Sequence, residues 1–379
     1  MKTERVKSQE FTKPERINTI GQYLKKQFGC KVVKLSLDGN FTCPNRDGSK
    51  GTGGCIFCSA DGSGDFAGSI PSQIALLSPK WPHAKYIAYF QNHTNTYAPA
   101  SDLREKFTAA LYYGKDRNAE HGSCALGDAE KNKQKESSLK EAEQKTSHLL
   151  SHPPLTASAP VTPEIIGLAI ATRPDCLDDE IYELLSELSK KTFLWVELGL
   201  QSIHEETGRT INRCHSLAVY DEAVERLAKL GIRTVTHLIF GLPKRIEKCG
   251  TDSSIVIPET REEMLASVRH VCRRLPLNPE TGSSHLFGIK LHMLNIVRGS
   301  QMEFLCPDYV PFSTIDEYTD LIVDALRIIP KDITIHRMSA DAPRPLLIAP
   351  QWSYQKRTIL NTIHQKMNTR GFYQGQDAD

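Results

Sequence analysis

The sequence predicts an α/β fold: a parallel sheet with helices packed outside it, as a full or partial barrel or an open sheet. Three observations predict it. Short apolar runs recur along the chain, amphipathic helical patterns separate them, and unusual polar motifs follow the ends of the runs. The 379 residues, 39% apolar and 24% charged, suit a globular protein of about two domains, or one α/β barrel with additions.

The first run, residues 31–38 (KVVKLSLD), puts Val33, Leu35 and Leu37 on one face and Lys34 and Ser36 on the other, a period of two. Residues 85–90, 165–171, 193–199, 232–240 and 286–293 are short apolar runs suited to buried parallel strands. Residues 332–337 (DITIHR) are a candidate seventh. Between them, Ile181, Leu184, Leu185 and Leu188 fall at helical spacing behind Asp178-Asp179, and Ala223, Val224, Leu227 and Leu230 do so before Gly231. Thr260 with Glu263 and Thr314 with Glu317 read as capping boxes. Residues 114–161 break the rhythm. They are rich in Lys, Glu, Ser and Ala and read as a mobile insertion, while 246–259 and 276–284 read as shorter loops of the same kind. Ile359, Ile363 and Met367 suit a last helix packing on the barrel.

Composition narrows the function. Forty-seven Lys+Arg against forty-five Asp+Glu give +2, no strong polyanion signal, although a local basic groove is compatible with it. The start MKTER is charged with no apolar core behind it, so no signal peptide is expected, and no apolar run nears the ~20 residues of a membrane span. The expectation is a cytoplasmic protein whose ten cysteines are reduced thiols.

The most informative stretch, FTCPNRDGSKGTGGCIFC, carries Cys43, Cys55 and Cys58 in a glycine-loaded loop after the first run. A C-x2-C pair in a reducing compartment points to metal. Structural zinc wants four closed ligands. The local fourth candidate, Cys30, sits beyond a strand ~20 Å long, so an iron–sulfur cluster is favoured over zinc. Held by three cysteines, such a cluster has one iron free for the amino and carboxylate groups of a small molecule. Gly48, Gly51, Gly53 and Gly54 let the loop wrap it closely.

With these residues the sequence resembles the radical SAM superfamily, and closely its YhcC-like subgroup, over about residues 15–365. The motifs that carry the resemblance are FTCPNRDG…GGCIFC, AYFQNHTNTYAP, ATRPDCL, VELGLQS, INRCH, HLIFGLP, GIKLHMLNIVRGS and HRMSADAPRP. The long first cysteine gap is similar to that of the radical SAM module of the elongator catalytic subunit. The resemblance implies a partial (β/α)6 TIM-like barrel with a C-terminal helical extension: residues 1–20 as an N-terminal extension, 21–300 as the barrel and 301–379 packing on it. It implies a [4Fe-4S] cluster on Cys43, Cys55 and Cys58, with S-adenosylmethionine chelating the fourth iron. One electron would cleave the sulfonium to methionine and a 5′-deoxyadenosyl radical.

The polar motifs fall at the C-terminal ends of the runs, the face where ligands bind in barrels and open parallel sheets. Phe57 resembles the aromatic that supports the adenine. Gln201 and Arg213 match the glutamine and arginine that contact the nucleoside and carboxylate in oxygen-independent coproporphyrinogen oxidase. Gln91 stands where many members carry a Gly-Gly-Glu segment, with backbone carbonyls near Phe90 as its alternative. Thr172 is a further cofactor candidate, and His237 falls where the oxidase has an acid. Lys290, His292, Arg298, His336, Arg337 and Arg344 make the last third basic, suited to an anionic substrate or to a solvated rim. The resemblance further implies an electron donor such as flavodoxin or ferredoxin. It leaves the substrate open, with RNA modification suggested by elongator-type relatives. The alternative is a metal-stabilised module, with zinc or a non-catalytic cluster, that binds nucleic acid or serves as a scaffold.

Overall fold

The computed structural model describes residues 15–59, 66–115, 163–247, 254–273 and 286–378. The chain divides into one unit of residues 1–111 with 165–379 and a second of 112–164. Most of the segment read as a mobile insertion, and the loop at 276–284, lie outside the described residues.

In chain order the elements are α1 (Ile20–Phe28), β1 (Val32–Leu37), α2 (Ile70–Leu77), β2 (Lys85–Phe90), α3 (Ala100–Leu111), β3 (Ile165–Thr172) and α4 (Asp179–Lys191). There follow β4 (Phe193–Gln201), α5 (Glu205–Thr210), α6 (Leu217–Lys229), β5 (Arg233–Phe240), β6 (Pro243–Glu247), β7 (Ser254–Pro258) and α7 (Arg261–Cys272). The last are β8 (Leu286–Met293), β9 (Ile296–Val297), α8 (Gln301–Leu305), α9 (Ile315–Ile328), β10 (Thr334–Arg337), β11 (Leu347–Ala349) and α10 (Lys356–Thr369).

One parallel sheet of seven strands runs β1-β2-β3-β4-β5-β8-β10, curled into a partial barrel. The resemblance gave six strands. The seventh is the run at 332–337, and its pairing beside β8 includes Thr334 with Gly288. An isolated bridge between Thr19 and Ile335 links this last strand to the chain leading into α1.

Local chemistry sets the helix ends. Asp178 caps α4 by accepting from the Ile181 N–H, and Thr19–Gln22 and Thr260–Glu263 form full capping boxes. The box expected at Thr314 is only half made. Its hydroxyl accepts from the Glu317 N–H, but the Glu317 carboxylate takes the Ser313 N–H instead. The stretch read as a loop at 246–259 is also corrected: β6 and β7 pair antiparallel, Pro243 with Pro258 through Glu247 with Ser254. The β-branched Ile255-Val256-Ile257 suits that pairing.

Aromatic side chains fill the N-terminal end of the barrel. Phe193 lies edge-on to Phe28 at 5.3 Å and to Phe287 at 5.9 Å, and Tyr23 meets Phe287 at 5.1 Å. Trp195 is fully buried above them. Each such pair contributes about 0.5–1.5 kcal/mol beyond its buried area. Gly167 lets the strands close here, because a Cβ would lie 2.2 Å from the Phe193 carbonyl oxygen and 2.9 Å from Ile87 Cδ1. Gly167→Ala is therefore expected to destabilise the fold by about 1–3 kcal/mol, read as a lower urea midpoint with unchanged slope. Among the described residues no helix is long and apolar enough to cross a membrane.

Candidate active site

The C-terminal ends of the strands surround a cavity of about 280 Å³. The metal and cofactor candidates all line it: Cys43, Cys55, Phe57 and Cys58 from the loop after β1, Gln91 after β2, Thr172 at the end of β3, and Gln201, Arg213 and His237 from β4, the segment after α5, and β5. Of the basic candidates Lys290, His292 and Arg337 line it, and Arg298, His336 and Arg344 do not.

The cysteine loop is held to its surroundings by main-chain and amide bonds. Ile56 N–H donates to the Ile211 carbonyl at 3.2 Å, and Met302 N–H to the Ile56 carbonyl at 3.0 Å. Asn212 donates from Nδ2 to the Gly54 carbonyl at 2.8 Å, and fully buried Asn45 donates back to the Asn212 carbonyl at 2.6 Å. These bonds tie the GGCIFC and INRC motifs into one wall. Gly53 and Gly54 have positive φ, and a Cβ on Gly53 would meet Gln301 Nε2 at 2.2 Å. Cys43, Cys55 and Cys58 are free thiols. The hydrogen bond from Cys55 and, behind it, the Arg46 guanidinium hold the Cys58 thiol below its ordinary value against burial. The same bond and burial push Cys55 up.

Among the described residues no group of three or more Cys, His, Asp or Glu side chains converges as a single metal ion requires. Closed structural zinc takes four ligands, whereas three thiols on one wrapped loop are the soft donor set of an iron–sulfur cluster that leaves one iron open.

Backbone strain gathers on the same face. Among the described residues the non-glycine positions with positive φ are Asn40, His93, Gln201, Asn212 and Cys214, all in or beside loops that follow β1, β2 and β4. Gln201 sits at a register shift between β4 and β5. Its Oε1 is buried without a hydrogen-bond partner, an unmet acceptor that fits a ligand's donor. Arg213 is 1% exposed and already donates to the His215, Leu200 and Ser202 carbonyls and to Glu205 Oε2 at 3.1 Å. It braces the loop that presents Gln201. Thr172 shares a 2.6 Å bond with Thr96, Gln91 accepts from Ser36 at 3.2 Å, and Phe57 packs against a cluster that includes Ile56 and Ile211.

His237 does not stand in for an acid; it meets one. Its Nε2 is 3.0 Å from Oε2 of Glu197, a residue passed over in the sequence. Burial, followed by the Lys290 charge, pushes the His237 pKa down to about 4, so the ring is neutral at pH 7. Burial also pushes Glu197 up, but Lys290, Lys34 and His237 outweigh it and hold the carboxyl well below the usual carboxylate range. The cations lining the cavity are Arg46, Arg173, Arg213, Lys290 and Arg337, against Glu197 and Asp341. This positive excess suits anionic occupants.

Two family models match the chain. The one described as Radical SAM superfamily covers residues 48–249, and the Radical_SAM C-terminal domain covers 287–369. The uncharacterized protein YtqA of Bacillus subtilis is 36% identical over 371 residues, which is 96% of this chain and 92% of that protein. Protein YhcC of Escherichia coli is 31% identical over 361 residues, 94% of this chain and 93% of that protein. The solved archaeal Elp3 of Methanocaldococcus infernus shares the fold, with a TM-score of 0.56 at 16% identity over 90% of this chain and 64% of that one.

Proposed function

The chain belongs to the radical SAM superfamily, and from that premise we propose that it is an enzyme in which Cys43, Cys55 and Cys58 hold a [4Fe-4S] cluster beside a site for S-adenosylmethionine. The observation that carries this reading is the strapped cysteine loop facing the unmet Gln201 Oε1 across one cavity. When bound and reduced, the cluster would relay the one electron needed to split S-adenosylmethionine into methionine and a 5′-deoxyadenosyl radical.

The chain's own residues have distinct tasks. Phe57 offers a flat apolar surface to the adenine, Gln201 an acceptor to the nucleoside, and Gln91 and Thr172 polar contacts along the same wall. Arg213 keeps Gln201 in its strained conformation. It offers its Nη2 edge to a carboxylate when Glu205, whose side chain is 47% exposed, turns to water. His237 stays neutral and positions Glu197 beneath them. An electron-transfer protein such as flavodoxin or ferredoxin supplies the electron, and RNA is the substrate class that the elongator-type resemblance suggests.

Anaerobic reduction of the iron-loaded protein with S-adenosylmethionine is expected to yield 5′-deoxyadenosine, detected by chromatography. Stoichiometric zinc, no iron and no 5′-deoxyadenosine would favour the metal-stabilised module instead.

A further inference from the structure

Below the proposed cofactor contacts, the barrel interior holds a charged cluster with a shortage of acid. Glu197, whose side chain is fully buried, is surrounded by donors: Lys290 and His237 on Oε2, and the Trp195 indole at 2.9 Å on Oε1. Lys34 Nζ stands 4.0 Å from Oε1, and Lys290 also donates to the Tyr89 hydroxyl at 2.8 Å. One carboxylate answers two lysines, whose pKa values burial lowers and the Glu197 charge raises. Arg337, at the end of β10, lines the same cavity and donates no hydrogen bond among the described residues. Its nearest acid, Asp341, is 3.6 Å away and is bound at 2.7 and 2.9 Å by Lys356. Asp341 is therefore neutralised from outside, and the guanidinium fork still lacks an acceptor.

Burial and neighbouring cations push His237 and His292 down, leaving both rings neutral at pH 7. They add no charge and quench none. On this part of the cavity wall Lys290 and Arg337, with Lys34 behind them, outnumber Glu197 and an Asp341 that Lys356 already engages. Confined positive charge between low-dielectric walls concentrates anions, and a free guanidinium fork matches an oxyanion bidentately.

We infer that the substrate carries a compact oxyanion, a carboxylate or a phosphate, and that Arg337, backed by Lys290 and Lys34, receives it. This rests on the reading of the cavity as a cofactor and substrate site, and it favours a small anion over the RNA that the elongator-type resemblance suggests. The confinement argues for a single headgroup over an extended phosphate backbone, because Lys290 is 3% exposed. Of the other basic residues in this third, His336 packs edge-on to Trp195 and Phe287 at 5.6 and 5.4 Å, and Arg344 lies over Tyr354.

The test uses the full chain with its cluster reconstituted. Its melting midpoint is followed against inorganic phosphate and, separately, acetate, at ionic strength held constant with chloride, with and without S-adenosylmethionine. At least one anion is expected to give a saturable rise, and which one does so identifies the headgroup. Arg337→Gln is expected to weaken that anion about tenfold. Arg337→Lys should fall between, and Arg344→Gln should match the wild type. Each variant is compared with its own anion-free midpoint, so a change in basal stability does not confuse the result. The inference is overturned if neither anion gives saturation, if Arg337→Gln binds like the wild type, or if S-adenosylmethionine abolishes the anion effect. Failure of the cofactor reading shows separately, as wild-type protein that binds the anion but forms no 5′-deoxyadenosine.

Discussion

Cys55→Ala protein, reconstituted with iron and sulfide under anaerobic conditions, is expected to lose the broad visible absorbance of an iron–sulfur protein and to form no detectable 5′-deoxyadenosine. Cys43→Ala and Cys58→Ala should behave alike, because a cube on three thiolates already leaves one iron to its small-molecule partner, and losing another ligand strips a second iron. The loss should exceed the about 10–100-fold penalty typical of residues that only support a ligand. Cys214 is the discriminating control. Its sulfur is 3.7 Å from the Asn212 carbonyl that also lies 3.6 Å from Cys55 Sγ, so it is a close thiol that could be mistaken for a ligand. Cys214→Ala should keep its absorbance. A spectrum lost in Cys214→Ala and retained in Cys55→Ala would sink the assignment.

Glu197→Gln is expected to destabilise the fold by about 3–5 kcal/mol at pH 7, since removing one member of a buried ion pair strands its partners. The amide keeps the shape of the carboxylate but leaves Lys290 and Lys34 without their counter-charge. The sign of the pH dependence follows from the depressed carboxyl. Its folded pKa lies below the unfolded value of about 4.3, so its stabilisation is full above that value and is lost as pH falls through the folded one. The gap between wild type and Glu197→Gln should therefore be widest near neutrality and narrow in acid. Urea unfolding at pH 7 and at progressively lower pH measures it. Pairing the change with Lys290→Met should recover part of the loss, because the uncompensated charge goes too. Equal stability of wild type and Glu197→Gln at pH 7 would show that the network holds nothing together.

The contrast between these two predictions shows what the sequence made legible. The cysteine loop could be read because three thiols and a run of glycines are costly residues to place together without a use, and strand bounds such as 85–90 and 286–293 were visible as apolar runs. Glu197 escaped notice because one acid inside FLWVELG does not disturb the apolar average. Its partners Lys34, His237 and Lys290 come from β1, β5 and β8, and only sheet closure brings them together. Asn45 and Asn212 were hidden for a similar reason: their work is to hold backbone across a long sequence gap. The strain at Gln201 has no compositional mark, since a glutamine with positive φ looks like any other glutamine. Arg213 was found, yet its engagement with three carbonyls depends on loop geometry that spacing does not encode.

The ring-filled floor of the barrel has a kinetic consequence. With Phe193, Phe287, Tyr23 and Phe28 packed together at that end, the proposed reactants would come and go by the opposite rim or by the unclosed side of the sheet. A molecule seated at that rim would slow the exit of whatever arrived before it.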